Sequence, residues 1–377
     1  MKRILYLITL SLLTLPAFSQ QVDDALLLDY YQNQRYAEAA SYLKSVYSEP
    51  VNDPKVLSRL AYTSQMAGKL PDAEGYYQRI LNNDSTNTAV LYNLASLNQR
   101  RGNNNKAEVY YRRIISKDTT DFQVYKQLAI ISHKKADMIG ALVYLQKANK
   151  LNPTEFDVAS DLSDLYITLQ QLPQAEKVLN IAIAADPENI VLLQSQLKLA
   201  YAQKKWLQVI KTGEQLLGLE DNTQRLKLGI AYYNAKNYIC GLETLMAIPD
   251  DNQNESTSYF IAASYKQLKD QKTAIKYFKK AAKLSISEST DTYYNEMADS
   301  YQQLEQYESA EAMFKKGLLY DQKPMTYYAI ATLYDSKLKQ PKNALLYYKK
   351  YLAEKTDETQ KEYVAYSKSR VIALSRH

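Results

Sequence analysis

The sequence predicts an all-α solenoid of about ten stacked helical hairpins, and three observations carry that prediction. Alanine returns at Ala39, Ala73, Ala107, Ala141 and Ala175 in steps of 34 residues, and the beat continues with small shifts through Val209, Gly241, Ala274, Ala310 and Ala344. Other apolar residues keep fixed distances from this marker. Turn formers fall between the apolar stretches. A helix–turn–helix unit of about 34 residues cannot bury its own apolar face, so neighbouring units must stack to shield one another.

In chain order, the first element is of another kind. Lys2 and Arg3 form a basic start, Ile4 to Leu15 an apolar stretch, Pro16 a break, and Ala17-Phe18-Ser19 a small-x-small end. This is the layout of a secretory signal peptide over residues 1–19, with cleavage expected after Ser19. The apolar run is shorter than the roughly 20 residues that span a bilayer. No cysteine follows it to accept a lipid, and no later segment resembles a membrane-spanning helix. The expectation is an exported, periplasmic protein that does not span the membrane, with at most a peripheral association with the envelope.

Six repeats are expected over residues 20–221. Twelve residues ahead of each early marker stands a small residue (Ala61, Ala95, Ala129, Ser163), preceded each time by leucine (Leu60, Leu94, Leu128, Leu162). Four residues after the marker comes a bulky group, as at Leu43, Tyr77, Tyr111, Leu145 and Leu179, and three further on another apolar or small residue, as at Ile80, Ile114 and Ala148. Spacings of three and four place these side chains on one helix face. Gly68, Gly102, Asn103 and Asn104 mark turns within units, and Pro153 and Pro187 turns between them. The unit around Trp206 reads as degenerate, because Val209 and Gly213 stand where alanine and an aromatic residue recur. Four repeats follow over residues 222–356, after an interval contracted to 32 residues between Val209 and Gly241. Residues 357–377 read as one further helix without a partner, a terminal cap using Tyr363, Tyr366, Ile372 and Leu374.

This pattern resembles the tetratricopeptide repeat family, whose units carry small residues at their eighth and twentieth positions and often proline near the thirty-second. Residues 91–115, 131–153 and 258–284 carry the resemblance best. It implies a right-handed superhelix whose first helices line a concave groove used to bind partner proteins or extended peptides. A known mode of the family clamps a partner's terminal carboxylate with lysine, asparagine and arginine on successive first helices. Here the matching run is Ser58 and Tyr62, Asn93, then Gln123 and Gln127, and only Asn93 fits, so that clamp is not carried over.

Composition narrows the remaining functions. Without residues 1–19 the formal net charge falls from +6 to +4, with the signs interspersed, which argues against a nucleic-acid binder. The pairs Lys279-Lys280, Lys315-Lys316, Lys349-Lys350 and Arg112-Arg113 share one place in their units and are expected on a solvated outer face. Cys240 is the only cysteine, so no intramolecular disulfide forms. It is expected half-buried at the start of a second helix. His133 and His377 are the only histidines, and glycine is scattered, with no phosphate loop or dinucleotide fingerprint. Asp157, Asp161 and Asp164 share a helix face and read as an acidic groove patch rather than a calcium site. No catalytic, cofactor or metal site is expected, and the repeats leave no room for a separate catalytic domain.

Thirty-five tyrosines remain to be placed. Tyr36, Tyr77, Tyr111, Tyr166, Tyr238, Tyr265, Tyr301, Tyr307 and Tyr348 fall where the repeat demands a filler and are expected in the core. Tyr62, Tyr92, Tyr201, Tyr233 and Tyr259 fall where the first helix points inward. Tyrosine there offers apolar area at low rotamer cost with a hydrogen-bonding tip. The expected partner-binding groove is Tyr62, Tyr92, Asn93, Lys126, Gln127 and Tyr259. The expected role is an exported scaffold that binds proteins or peptides. Two other roles fit the same sequence: an accessory factor for outer-membrane assembly or secretion, and a module whose tyrosines stack on cell-wall glycans.

Overall fold

The structure, a computed structural model, describes residues 22–285, 289–354 and 358–375. The proposed leader at residues 1–19 and His377 lie outside them. Among the described residues the regular elements are twenty-one α-helices and two short 3-10 turns.

Contacts divide the chain into two compact units, one ending at Pro153 and one beginning at Thr154. The first holds four hairpins: α1 (Asp24–Gln32) with α2 (Tyr36–Val46), α3 (Pro54–Met66) with α4 (Leu70–Asn83), α5 (Thr88–Arg100) with α6 (Asn104–Ile115), and α7 (Phe122–Lys134) with α8 (Met138–Leu151). The second holds six more: α9 (Phe156–Thr168) with α10 (Leu172–Ala185), α11 (Ile190–Ala202) with α12 (Trp206–Gly218), α13 (Arg225–Asn234) with α14 (Tyr238–Met246), α15 (Glu255–Gln267) with α16 (Gln271–Leu284), α17 (Thr290–Gln303) with α18 (Tyr307–Gly317), and α19 (Pro324–Ser336) with α20 (Pro341–Ala353). A single helix, α21 (Lys361–Leu374), follows. The fold is an α-solenoid of repeated hairpins.

Each helix begins and ends for local reasons. Five first helices start behind a side-chain cap at a fixed place, with Asp53, Asn87, Asp121, Asn189 and Asn254 accepting from the first free backbone N–H groups. They end at a left-handed residue five positions before the marker, so that the chain reverses into the second helix. The marker residues are fully or almost fully buried on the second helices, as are Leu60, Ala61, Leu94, Ala95, Leu128 and Ala129 on the first. Small residues let the two helices approach, and Tyr77, Tyr111, Phe278, Phe314 and Tyr348 fill the space beside them.

Three expectations need correction. The hairpin around Trp206 keeps two full-length helices: Val209 is fully buried, and Gly213 lies close against Leu228, where a Cβ would stand 2.9 Å from Leu228 Cδ1. The irregular hairpin is the next one, where α13 and α14 are only 10 and 9 residues long. Tyr36, Tyr238, Tyr265, Tyr301 and Tyr307 are half-buried rather than core, since they sit at hairpin ends and rims. On α21, Tyr363, Tyr366 and Ile372 are exposed. The two rings still pack on the last hairpin, Tyr363 at 5.0 Å from Tyr328 and Tyr366 at 6.2 Å from Tyr348, beside the fully buried Ser367 and with Val371 and Leu374 against the last core.

Of the paired cations, Arg112, Lys279, Lys315, Lys316, Lys349 and Lys350 are exposed, while Arg113 and Lys280 are half-buried. Arg113 donates to the Ser85 carbonyl at 2.6 Å, Lys280 to Gln253 at 2.9 Å, and Lys316 lies 4.8 Å from the Tyr294 ring centroid. Arg113 and Lys280 reach the segments that lead into their own hairpins, and Lys316 reaches the first helix of its own hairpin. Cys240 is half-buried in the first turn of α14, as expected.

Candidate functional site

A first helix turns its leucine and small residue toward its own hairpin. Helical periodicity then leaves the residues 15, 14, 11 and 8 before the marker on the open side. The sequence-derived candidates occupy these places. Tyr62 lies on α3, Tyr92 and Asn93 on α5, Lys126 and Gln127 on α7, and Tyr259 on α15.

In the first unit Tyr62 is 46 % exposed although other apolar side chains of its helix, Leu57, Leu60 and Ala61, are buried. Its ring stands edge-on to Tyr31 at 6.2 Å, and Tyr31 in turn packs on Tyr36 at 6.0 Å. The Tyr31 hydroxyl and Thr63 Oγ1 are hydrogen-bonded at 2.7 Å. Partial burial and the two neighbouring phenols raise the pKa of the Tyr62 hydroxyl. Tyr92 belongs to a separate ring pair, edge-on to Tyr111 at 5.6 Å. Tyr92, Asn93, Lys126 and Gln127 are all half-buried. Arg59, on the same face of α3, pairs with Asp24 of α1 at 3.2 Å. His133 is exposed in the last turn of α7.

In the second unit the rings are more closely joined. Tyr259 lies 5.2 Å from Phe260, 5.5 Å from Tyr293 and 5.9 Å from Phe278, and burial pushes its hydroxyl up to about 12. It therefore serves packing between hairpins as much as surface. Aromatic pairs also close hairpin ends, Tyr201 against Trp206 at 5.5 Å and Tyr233 against Tyr238 at 5.6 Å.

Sequence reasoning placed Asp164 in an acidic patch but missed its lysine partner and a second charged centre on this face. Asp164 on α9 pairs with Lys198 on α11 at 2.8 Å, and Lys227 on α13 has its pKa lowered by burial and by the nearby Lys198 charge. Lys266 on α15 donates to Glu296 on α17 at 2.7 Å and lies 3.5 Å from Asp299. A signal was present, because Asp164 and Lys198 occupy the same repeat position one period apart. Among the described residues no group of three His, Cys, Asp or Glu side chains is arranged to hold a metal ion. No helix among them is long and apolar enough to cross a membrane.

Models of the tetratricopeptide repeat match residues 134–197, 256–285 and 291–324. The chain is a tetratricopeptide repeat protein. The matched segments include α8 to α10 and α15 to α18, whose hairpins carry the buried marker and the opposing small residues described above. No curated protein matches the sequence. Solved structures similar to this tetratricopeptide repeat protein include one from Parabacteroides merdae, 15% identical over 66% of this chain and 98% of that one, with a TM-score of 0.46. They also include the protein MamA (20% identical, 44% and 90% covered, TM-score 0.41) and the Cut9–Hcn1 assembly of the APC/C (14% identical, 94% and 96% covered, TM-score 0.43). At these identities and TM-scores the likenesses carry no argument about partners. The repeats themselves make the protein an interaction scaffold, built on a fold that is generally non-enzymatic.

Proposed function

We propose that the protein acts outside the cytoplasm, after removal of residues 1–19, and binds extended segments of partner proteins on the face formed by its first helices. The observation that carries this reading is the set of half-exposed tyrosines on that face, Tyr62 above all. A ring fixed by an edge-on neighbour keeps one face open and loses little entropy when a ligand covers it. Asn93 next to Tyr92 on α5, and Lys126 and Gln127 at the same repeat positions on α7, add polar groups that suit the backbone of an extended peptide. The layout of residues 1–19 supports export.

Two experiments test the two halves. A benzophenone amino acid placed at Tyr62 should cross-link partner chains in the native cell. The same group at Val109, exposed on α6 and directed away from the first helices, should not. Equal capture at both positions, or adducts to glycan strands alone, would reject the peptide-binding face. Fractionation with N-terminal sequencing of the mature chain should find Gln20 first in the periplasmic fraction, and an intact Met1 in the cytosol would reject export.

A further inference from the structure

The first-helix face of α13, α15 and α17 combines an aromatic wall with an incompletely neutralised pair of carboxylates. Tyr233 stands edge-on to Phe260 at 5.4 Å, Phe260 to Tyr259 at 5.2 Å, and Tyr259 tilts against Tyr293 at 5.5 Å. The three leading rings are half-buried, so each keeps accessible area. Beside them Lys266 is committed to Glu296 at 2.7 Å, with side chains only 21% and 30% exposed. Asp299 has weaker ties, to Lys266 at 3.5 Å and to Gln302 at 3.4 Å, and half of its side chain is exposed. One ammonium thus faces two carboxylates, leaving a surplus negative charge on a reachable group.

The surroundings agree with that count. Burial, and the neighbouring Glu296 charge, raise the pKa of Asp299 despite the opposing effect of Lys266. Burial first, and then Glu296, also raise the hydroxyls of Tyr233 and Tyr259, which places the carboxylate within electrostatic reach of both rings. A missing countercharge beside aromatic faces has a specific chemical complement. A guanidinium or ammonium group pairs with the carboxylates and stacks on the rings at once.

The geometry points to a subsite for one basic side chain of the partner: an arginine or lysine within an extended peptide, seated against Tyr233 and Tyr259 and paired with Asp299. This rests on the reading of the first-helix face as the peptide-binding surface and assigns part of its specificity. An acidic or purely apolar segment would leave Asp299 uncompensated and is disfavoured here.

The test is selection of a random peptide library displayed on phage against the full-length protein, followed by titration of resynthesised peptides. Recovered peptides should be enriched in arginine or lysine at one position. Replacing that residue by citrulline or norleucine should weaken binding about tenfold. Asp299→Asn and Glu296→Gln should each erase the preference, and Asp299→Lys should reverse it toward acidic peptides. The two neutral variants keep the shape of the site, and thermal melting of each checks the fold. Peptides that bind the face with no basic residue, or bind Asp299→Asn and Glu296→Gln as tightly as the parent, would overturn this subsite and leave the binding face standing. A library that yields no binder would remove both.

Discussion

At the scale of single residues, the hairpins depend on a backbone conformation that side chains disfavour. Gln34, Gly68, Gly102, Ala136, Gln170, Lys204, Lys236, Lys269, Glu305 and Lys339 all have φ between 54° and 79°, and each stands five residues before its marker. At most of these turns the next residue's N–H returns to a carbonyl five positions back, as Lys69 does to Ser64 at 2.8 Å and Gln171 to Tyr166 at 2.8 Å. Only Gly68 and Gly102 carry the residue suited to this region. Elsewhere a side chain holds the left-handed conformation at a cost of roughly 1 kcal/mol. Gln170→Gly should therefore raise stability by about 0.5 kcal/mol, strain relief exceeding the added freedom of the unfolded chain. Gly68→Ala should lower it by about 1 kcal/mol, although a Cβ there meets nothing within 4 Å. Urea titration of both variants checks this, and a destabilised Gln170→Gly would refute the strain argument. The same positions show what was legible in the sequence. Two glycines announced turns, whereas the other eight were placed only by the beat of the buried marker, because glutamine and lysine give no turn signal.

At the scale of elements, neighbouring hairpins are tied by contacts that repeat with the sequence. Glu74 accepts from Arg101 at 2.5 Å, Glu108 from Lys135 at 2.8 Å and Glu176 from Gln203 at 3.1 Å, each partner 27 residues further on. Exposed pairs of this kind contribute about 0–1 kcal/mol each, so they set register more than stability. The last helix is held more firmly. Asp335 on α19, with its side chain 12% exposed, takes two hydrogen bonds from Arg370 of α21 at 2.7 and 2.8 Å, and Tyr328 packs 5.0 Å from Tyr363. Arg370→Ala should loosen α21 by about 1–2 kcal/mol, since it strands a half-buried carboxylate. It should raise amide exchange in residues 361–374 while leaving α1 to α8 unchanged. The Arg370 bond and charge hold the Asp335 carboxyl below its ordinary value of 3.8. A depressed folded-state pKa means that this stabilisation is complete above about pH 4 and is lost as the pH falls through the lower folded value. Exchange in α21 should rise in that acid window for the parent and change much less for Arg370→Ala. A capping helix was legible from its position after the last repeat. Its docking face was legible only in part: Tyr363 and Tyr366 do reach rings of the last hairpin, but the buried Ser367 and the pairing of Arg370 with Asp335 left no apolar signal. The candidate site divides in the same way. Helical periodicity found the open face and Tyr62, but ring partners and cross-helix ion pairs such as Lys266 with Glu296 depend on how successive helices meet, which no single unit encodes.

At the scale of the whole molecule, stability in a stack of hairpins is a sum of local terms and nearest-neighbour interfaces, so one weak interface can uncouple the chain on either side of it. The shortest hairpin, α13 with α14, is where that sensitivity should be greatest. Its helices meet through glycine on both sides: a Cβ at Gly229 would lie 2.4 Å from Leu245 Cγ, and one at Gly241 would lie 3.4 Å from the Gly229 carbonyl oxygen. Leu245 is itself fully buried, so it has no room to yield. Gly229→Val should consequently cost about 2–4 kcal/mol through overpacking and a forced separation of the two helices. The loss should remain local to this part of the stack. Trp206, the only tryptophan, opens α12 in the preceding hairpin and reports unfolding there. Far-UV circular dichroism averages over all helices. In the parent, tryptophan fluorescence and circular dichroism should follow closely spaced urea transitions. In Gly229→Val the fluorescence midpoint should fall while part of the dichroism persists to higher urea, because hairpins remote from the lesion keep their own interfaces. A variant that unfolds as a single coincident transition at a lower midpoint would mean that the repeats behave as one cooperative block, and the nearest-neighbour account would fail.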